Sequence, residues 1–131
     1  WIHRRKLFRV DHDILVLGGF YLLVLILYLV FETVAVNARP VLIDGRLEAS
    51  YPSSTTMLVL CVMPTAMMQL RVRLRNTKMR TVVLTVLAVF TVCMVVGRLI
   101  AGVHWFTDII GGVLLSAGLI VLYSAVEKMM E

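Results

Sequence analysis

The chain has 131 residues, 60% of them hydrophobic and 16% charged, with a mean hydropathy of +0.94 and a formal net charge of +5. A soluble domain of this size needs more polar surface than that to cover its core, so the composition excludes an ordinary water-soluble fold and points to lipid as the solvent. Nor does the basic excess call for a nucleic-acid partner, because membrane topology accounts for where the charges lie.

Arg4, Arg5, Lys6 and Arg9 open the chain, and Ile14 to Phe31 then carries no charge. A spanning helix needs about 20 mostly apolar residues, which predicts a first span near 14–36. Its length and the lack of a small-residue cleavage site distinguish it from a signal peptide. A polar stretch from Val36 to Ser50 follows, and Ala49 to Leu70 is again uncharged. The second span is predicted near 52–70, opened by Tyr51-Pro52-Ser53-Ser54-Thr55-Thr56, with Pro64 expected to kink it. Arg71, Arg73, Arg75, Lys78 and Arg80 fill a short link. A third span is predicted near 81–101 and a fourth near 108–128, with Lys128 at its end. Gly111, Gly112, Ser116 and Gly118 read as a small-residue packing face in the fourth span, and Gly18 and Gly19 as another in the first. Tyr21 and Tyr28 have no assigned role. Cys61 and Cys93 lie inside spans and read as packing residues rather than a disulfide or a metal pair. Because backbone in hydrocarbon must satisfy its own hydrogen bonds, the expected fold is an all-α polytopic transmembrane helical bundle. The first residue is Trp1, so the sequence is expected to start inside a longer chain.

Every Lys and Arg except Arg39, Arg46 and Arg98 falls on one side of these four spans. The positive-inside rule makes that side cytoplasmic. The opposite side then holds the segment around Arg39, the start of the second span, and the stretch from Arg98 to Asp108. All the candidate chemistry lies in those three places: Arg39-Pro40, Pro52-Ser53-Ser54-Thr55, and Arg98 with His104 and Asp108.

Taken singly, most of these residues have plain structural explanations. Arg39 reads as a snorkelling interfacial residue, and Pro52 with its hydroxyl neighbours as an ordinary helix start. His104 beside Trp105 reads as an interfacial anchor, and Asp108 as a cap on the fourth span. The spacing Arg98-x5-His104-x3-Asp108 is harder to dismiss as a set. Ionisable residues at membrane depth are functional candidates by default, and positions 104 and 108 share a face on a helix.

These three motifs, in this order, resemble those of the type 2 phosphatidic acid phosphatases, membrane enzymes related to vanadium haloperoxidases. The family pattern is Lys-x6-Arg-Pro, Pro-Ser-Gly-His, and Ser-Arg-x5-His-x3-Asp. The matching residues are Arg39-Pro40, Pro52-Ser53-Ser54-Thr55, and Gly97-Arg98 with His104 and Asp108. Members usually have six spans, so the resemblance implies that the four seen here are the last four, within one domain over 1–131 that is incomplete at its N-terminus. It implies that His104 attacks phosphorus to form a phosphohistidine, with Asp108 accepting the other ring N–H. It implies that Arg39 and Arg98 hold the phosphoryl oxygens, joined by Ser53, Ser54, Thr55 and the N-terminus of the second span. No metal or cofactor is implied; the partners are a lipid phosphate or diphosphate substrate and membrane lipids, with the site on the outer face of the plasma membrane.

The sequence departs from the pattern twice. Glu32 stands where the family has its Lys, and Thr55 where it has the His that protonates a leaving alkoxide. A phosphate leaving group, with a second pKa of about 6, departs without that proton. The departure therefore favours a diphosphate such as a polyprenyl diphosphate. Three other readings stand beside the phosphohydrolase. They are a non-catalytic phospholipid-binding member, a transferase working through the same phosphohistidine, and a small transporter, against which the clustering at one interface argues.

Overall fold

The computed structural model describes residues 12–34, 36–46 and 48–130. Four helices account for most of them: α1 (His12–Thr33), α2 (Ser54–Arg73), α3 (Thr77–Ile100) and α4 (Phe106–Met130). All four are long and apolar enough to cross a membrane, and the chain is an all-helical integral membrane protein. The basic segment Arg4–Arg9 lies outside the described residues.

The helices begin and end for identifiable reasons. Ser53 caps α2, its Oγ accepting the Thr56 N–H at 3.4 Å, and Asn76 caps α3 by accepting from Met79 N at 3.2 Å. Both are favoured capping residues because a short oxygen-bearing side chain reaches an orphan N–H of the first turn. The link between α2 and α3 is consequently only Leu74, Arg75 and Asn76, and the flanking basic residues sit on helix ends rather than in a loop. At the other end of α3 the Ala101 N–H bonds to Gly97 O, and Gly102 follows at φ +65°. That left-handed conformation suits glycine, and it turns the chain back toward α4 just before His104. Pro64 lies inside α2 without ending it.

Helix α2 packs against all three others. It is also the least apolar of the four. Its polar side chains find partners across the bundle. Thr65 Oγ1 donates to Cys61 O at 2.6 Å and lies 3.2 Å from Tyr21 Oη on α1, so Tyr21 ties α1 to α2. Ser116 Oγ on α4 bonds to Gly112 O at 2.7 Å and reaches Met57 O on α2 at 3.2 Å. The core between them is Phe20 and Val24 from α1, Met57 and Cys61 from α2, and Leu119 and Tyr123 from α4. Outward-facing Leu22, Leu25 and Ile26 on α1 and Val82, Val86 and Val89 on α3 are exposed, an arrangement that needs lipid around it.

The glycines divide by position. A Cβ on Gly111 would meet the Tyr51 ring and one on Gly112 would meet Ser53 O and Thr56, so these two let the start of α2 approach α4 closely. Gly18, Gly19 and Gly118 have nothing within 4 Å, so of the expected packing faces only Gly111, Gly112 and the buried Ser116 on α4 meet a neighbouring element.

Contacts along the bundle set the directions of the helices. Ser53 N bonds to Asp108 O at 3.0 Å, which joins the starts of α2 and α4. At the far end Arg73 on α2 pairs with Asp13 on α1, and Gln69 bonds to Glu127 on α4. So α1 runs antiparallel to α2, and α4 parallel to it. Residues 36–46 and 48–50 share one end with the α3–α4 link, and the basic residues from Arg71 to Arg80 share the other.

Candidate active site around His104

Residues 36–46 fold back on residues 48–50. Asp44 (φ +49°) and Gly45 (φ +74°) make a tight two-residue turn closed by hydrogen bonds between Ile43 and Arg46, the conformation that Asp-Gly favours. A second bridge pairs Ala38 with Ala49. This fold sets Arg39 against the base of the loop. Its Nε donates to Ala49 O at 3.3 Å and lies 3.3 Å from Glu48 Oε2. The Arg39 side chain is only 12% exposed, so it does not snorkel to solvent. Trp105 Nε1 donates to Ala38 O at 2.9 Å, tying the same loop to the α3–α4 link.

The loop delivers Ser50 to His104. His104 Nδ1 lies 3.1 Å from Ser50 O and 3.3 Å from Ser50 Oγ. A carbonyl only accepts, so Nδ1 carries the proton and Nε2 the lone pair. Nε2 is buried and has no hydrogen-bond partner among the described residues; the same is true of Asp108 Oδ1. Unpartnered buried polar atoms are uncommon and call for an explanation. Burial, followed by the positive charge of Arg39, holds the His104 pKa below the usual histidine value; Arg98 adds to this, while the Ser50 carbonyl and Asp108 oppose it. The ring is therefore neutral near pH 7.

Asp108 does not take the ring N–H directly. Its Oδ2 is 3.8 Å from His104 Nδ1, beyond hydrogen-bonding range. Instead Oδ2 accepts from Ser50 Oγ and from Trp105 N at 2.9 Å. The second of these is a third-position acid reaching back to the N–H that precedes its own helix, so Asp108 also stabilises the start of α4, and the capping role and the approach to His104 coexist.

The other predicted residues fall around this centre unevenly. Arg98 Nη2 donates to Thr55 Oγ1, so the residue in the place of the family His anchors a guanidinium. Ser53 and Ser54 are buried at the start of α2, with Ser53 occupied by its capping bonds and by Asp108 O. Glu32 is exposed in the last turn of α1. Ser50 is the residue that sequence reading passes over, since a lone serine between the loop and Tyr51-Pro52 carries no spacing signal of its own.

A cavity of about 450 Å³ lies at the opposite end and is lined by Asp13, Gln69 and Glu127 among others. Its polar atoms already bond to one another through Arg73, Gln69, Tyr123 and Glu127. The unpartnered nitrogen at His104 is therefore the better guide to chemistry. Among the described residues no group of three or more His, Cys, Asp or Glu is placed to hold a metal ion.

A buried neutral imidazole thus stands in the field of two guanidinium groups at one end of the membrane bundle. The family model described as PAP2 superfamily matches residues 15–130, and the chain belongs to that superfamily. Membership supports phosphatase-type lipid phosphohydrolase chemistry as the class of activity, with a lipid phosphate and membrane lipids as partners. No curated protein and no solved structure matches the chain.

Proposed function

We propose that the protein removes a phosphoryl group from a lipid diphosphate through a phosphohistidine on His104, at the extracytoplasmic face of the plasma membrane. The observation that carries this reading is the tautomer: Nδ1–H is committed to the Ser50 carbonyl, leaving Nε2 buried, unpartnered and nucleophilic. In the first half-reaction the Nε2 lone pair forms a bond to the terminal phosphorus while the bridging P–O bond breaks, its electron pair leaving with the departing lipid monophosphate. Water then attacks phosphorus, the N–P pair returns to Nε2, and the water's proton ends on the released phosphate. Arg39 and Arg98 hold the phosphoryl oxygens and neutralise the charge that builds on them. Ser53, Ser54 and Thr55 line the phosphate side at the start of α2.

The substrate class follows from Thr55. Its hydroxyl is engaged with Arg98, and a threonine hydroxyl is no general acid near neutral pH. A general acid contributes about 10²–10⁴-fold, so a monoester, which needs its alkoxide protonated, is disfavoured by about that factor relative to a diphosphate. The outward orientation rests on the Lys/Arg distribution.

The test is phosphate release by the full-length protein from farnesyl diphosphate and from phosphatidic acid, with and without vanadate. Diphosphate cleavage should dominate, vanadate should inhibit, and His104→Ala should be inactive yet inserted and folded. Cleavage of phosphatidic acid at an equal or greater rate would end the diphosphate assignment, and full activity of His104→Ala would end the mechanism.

A further inference from the structure

We infer that Ser50 is a positioning residue of this site, the link through which Asp108 acts on His104. The inference rests on the phosphohistidine reading and goes beyond it, because the catalytic pair becomes a chain of three.

The geometry leaves Asp108 no shorter route to the ring. Its carboxylate stands 3.8 Å from Nδ1, while Ser50 touches both groups. Ser50 Oγ donates to Asp108 Oδ2, so its lone pairs are left facing Nδ1 at 3.3 Å, beside the main-chain carbonyl at 3.1 Å. All three side chains are buried, with Ser50 only 1% exposed, so water does not replace a lost member. When Nε2 bonds to phosphorus the ring gains a positive charge shared by both nitrogens. The Nδ1 proton stays on the ring and leans more strongly on its acceptors. A hydroxyl already donating to a carboxylate is a better acceptor than an isolated one, because successive hydrogen bonds polarise each other. Ser50 thus passes the carboxylate's stabilisation to the ring when the charge appears, and no proton changes owner. Its carbonyl sets the tautomer at all times, and its hydroxyl matters most in the transition state.

The kinetic consequence is specific. Ser50→Ala keeps the carbonyl and loses the hydroxyl, so the loss should appear in kcat and leave KM nearly unchanged. A hydrogen bond to a charged group corresponds to about 10- to 100-fold in rate. Asp108→Asn should cost a comparable factor by the same route. Because one path serves both, the double variant should be no slower than the slower single one.

The experiment measures kcat and KM for phosphate release from farnesyl diphosphate by the full chain, for wild type, Ser50→Ala, Asp108→Asn, the double variant and His104→Ala. Thermal stability is followed in the same detergent. Ser50→Cys is the second variant should Ser50→Ala fail to fold: it is near in size and its thiol donates weakly, so its kcat should also fall. A folded Ser50→Ala or Ser50→Cys with wild-type kcat overturns the inference. So do losses that multiply in the double variant, which would mean that Asp108 acts on the ring without Ser50. Failure of the underlying reading looks different, since His104→Ala would then turn over as wild type does.

Discussion

Replacing Gly111 by alanine probes whether the N-terminal end of α4 is shaped to receive the loop that carries Ser50. A Cβ at that position would lie 2.4 Å from Tyr51 Cε2, 2.7 Å from Cζ and 2.8 Å from Oη. Ordinary carbon contacts begin near ~3.5 Å, so the ring must retreat by about 1 Å. Overpacking of this kind costs about 1–3 kcal/mol, against a helix-propensity gain of up to about 1 kcal/mol for leaving glycine. Gly118 on the same helix is the control, because nothing lies within 4 Å of its Cβ position and only the gain applies. The difference between the two alanine variants is then about 1–3 kcal/mol, with propensity cancelled. Thermal denaturation of the full chain in detergent reads this difference, and phosphate release is measured on the same preparations. Gly111→Ala should melt below Gly118→Ala and turn over more slowly, because Tyr51 adjoins the residue that holds His104. In a Tyr51→Ala background the penalty should vanish, since the obstructing ring is gone. Equal melting and equal turnover of the two glycine variants would refute the packing argument.

Three further outcomes are expected. In the proposed mechanism the neutral ring is the nucleophile, so kcat/KM should be full above the His104 pKa, which lies below the usual value of about 6.5, and be lost as pH falls through it. Arg39→Gln removes a charge that lowers this pKa, so the acid limb should move to higher pH; a limb that stays put or moves lower contradicts the assignment. Thr55→Ala releases Arg98 from its hydroxyl partner, and KM for a diphosphate should rise about 10-fold, whereas an unchanged KM would separate Arg98 from phosphate binding. At the other end of the bundle, Gln69→Leu removes bonds to Tyr123 Oη at 3.0 Å, Glu127 Oε1 at 3.1 Å and Arg73 Nε at 3.2 Å. Stability should fall by about 1–3 kcal/mol, while turnover per folded molecule stays at the wild-type level.

The sequence alone determined what depends on neighbours in the chain. Run length and charge spacing defined four helices, and their observed bounds differ from the predicted ones by a few residues, because capping by Ser53 and Asn76 decides where a helix begins. Spacing also picked out Arg98, His104 and Asp108, and the family resemblance added Arg39. The tertiary structure decided what depends on partners far along the chain. Ser50 meets His104 across 54 residues and Asp108 across 58, and no local pattern specifies a pairing at that distance. Likewise, only packing separates Gly111 and Gly112, which admit Tyr51 and Ser53, from Gly118, which meets nothing. Periodicity marks a helix face as small or apolar, but the close approach of a neighbouring element is what gives each position on that face its use.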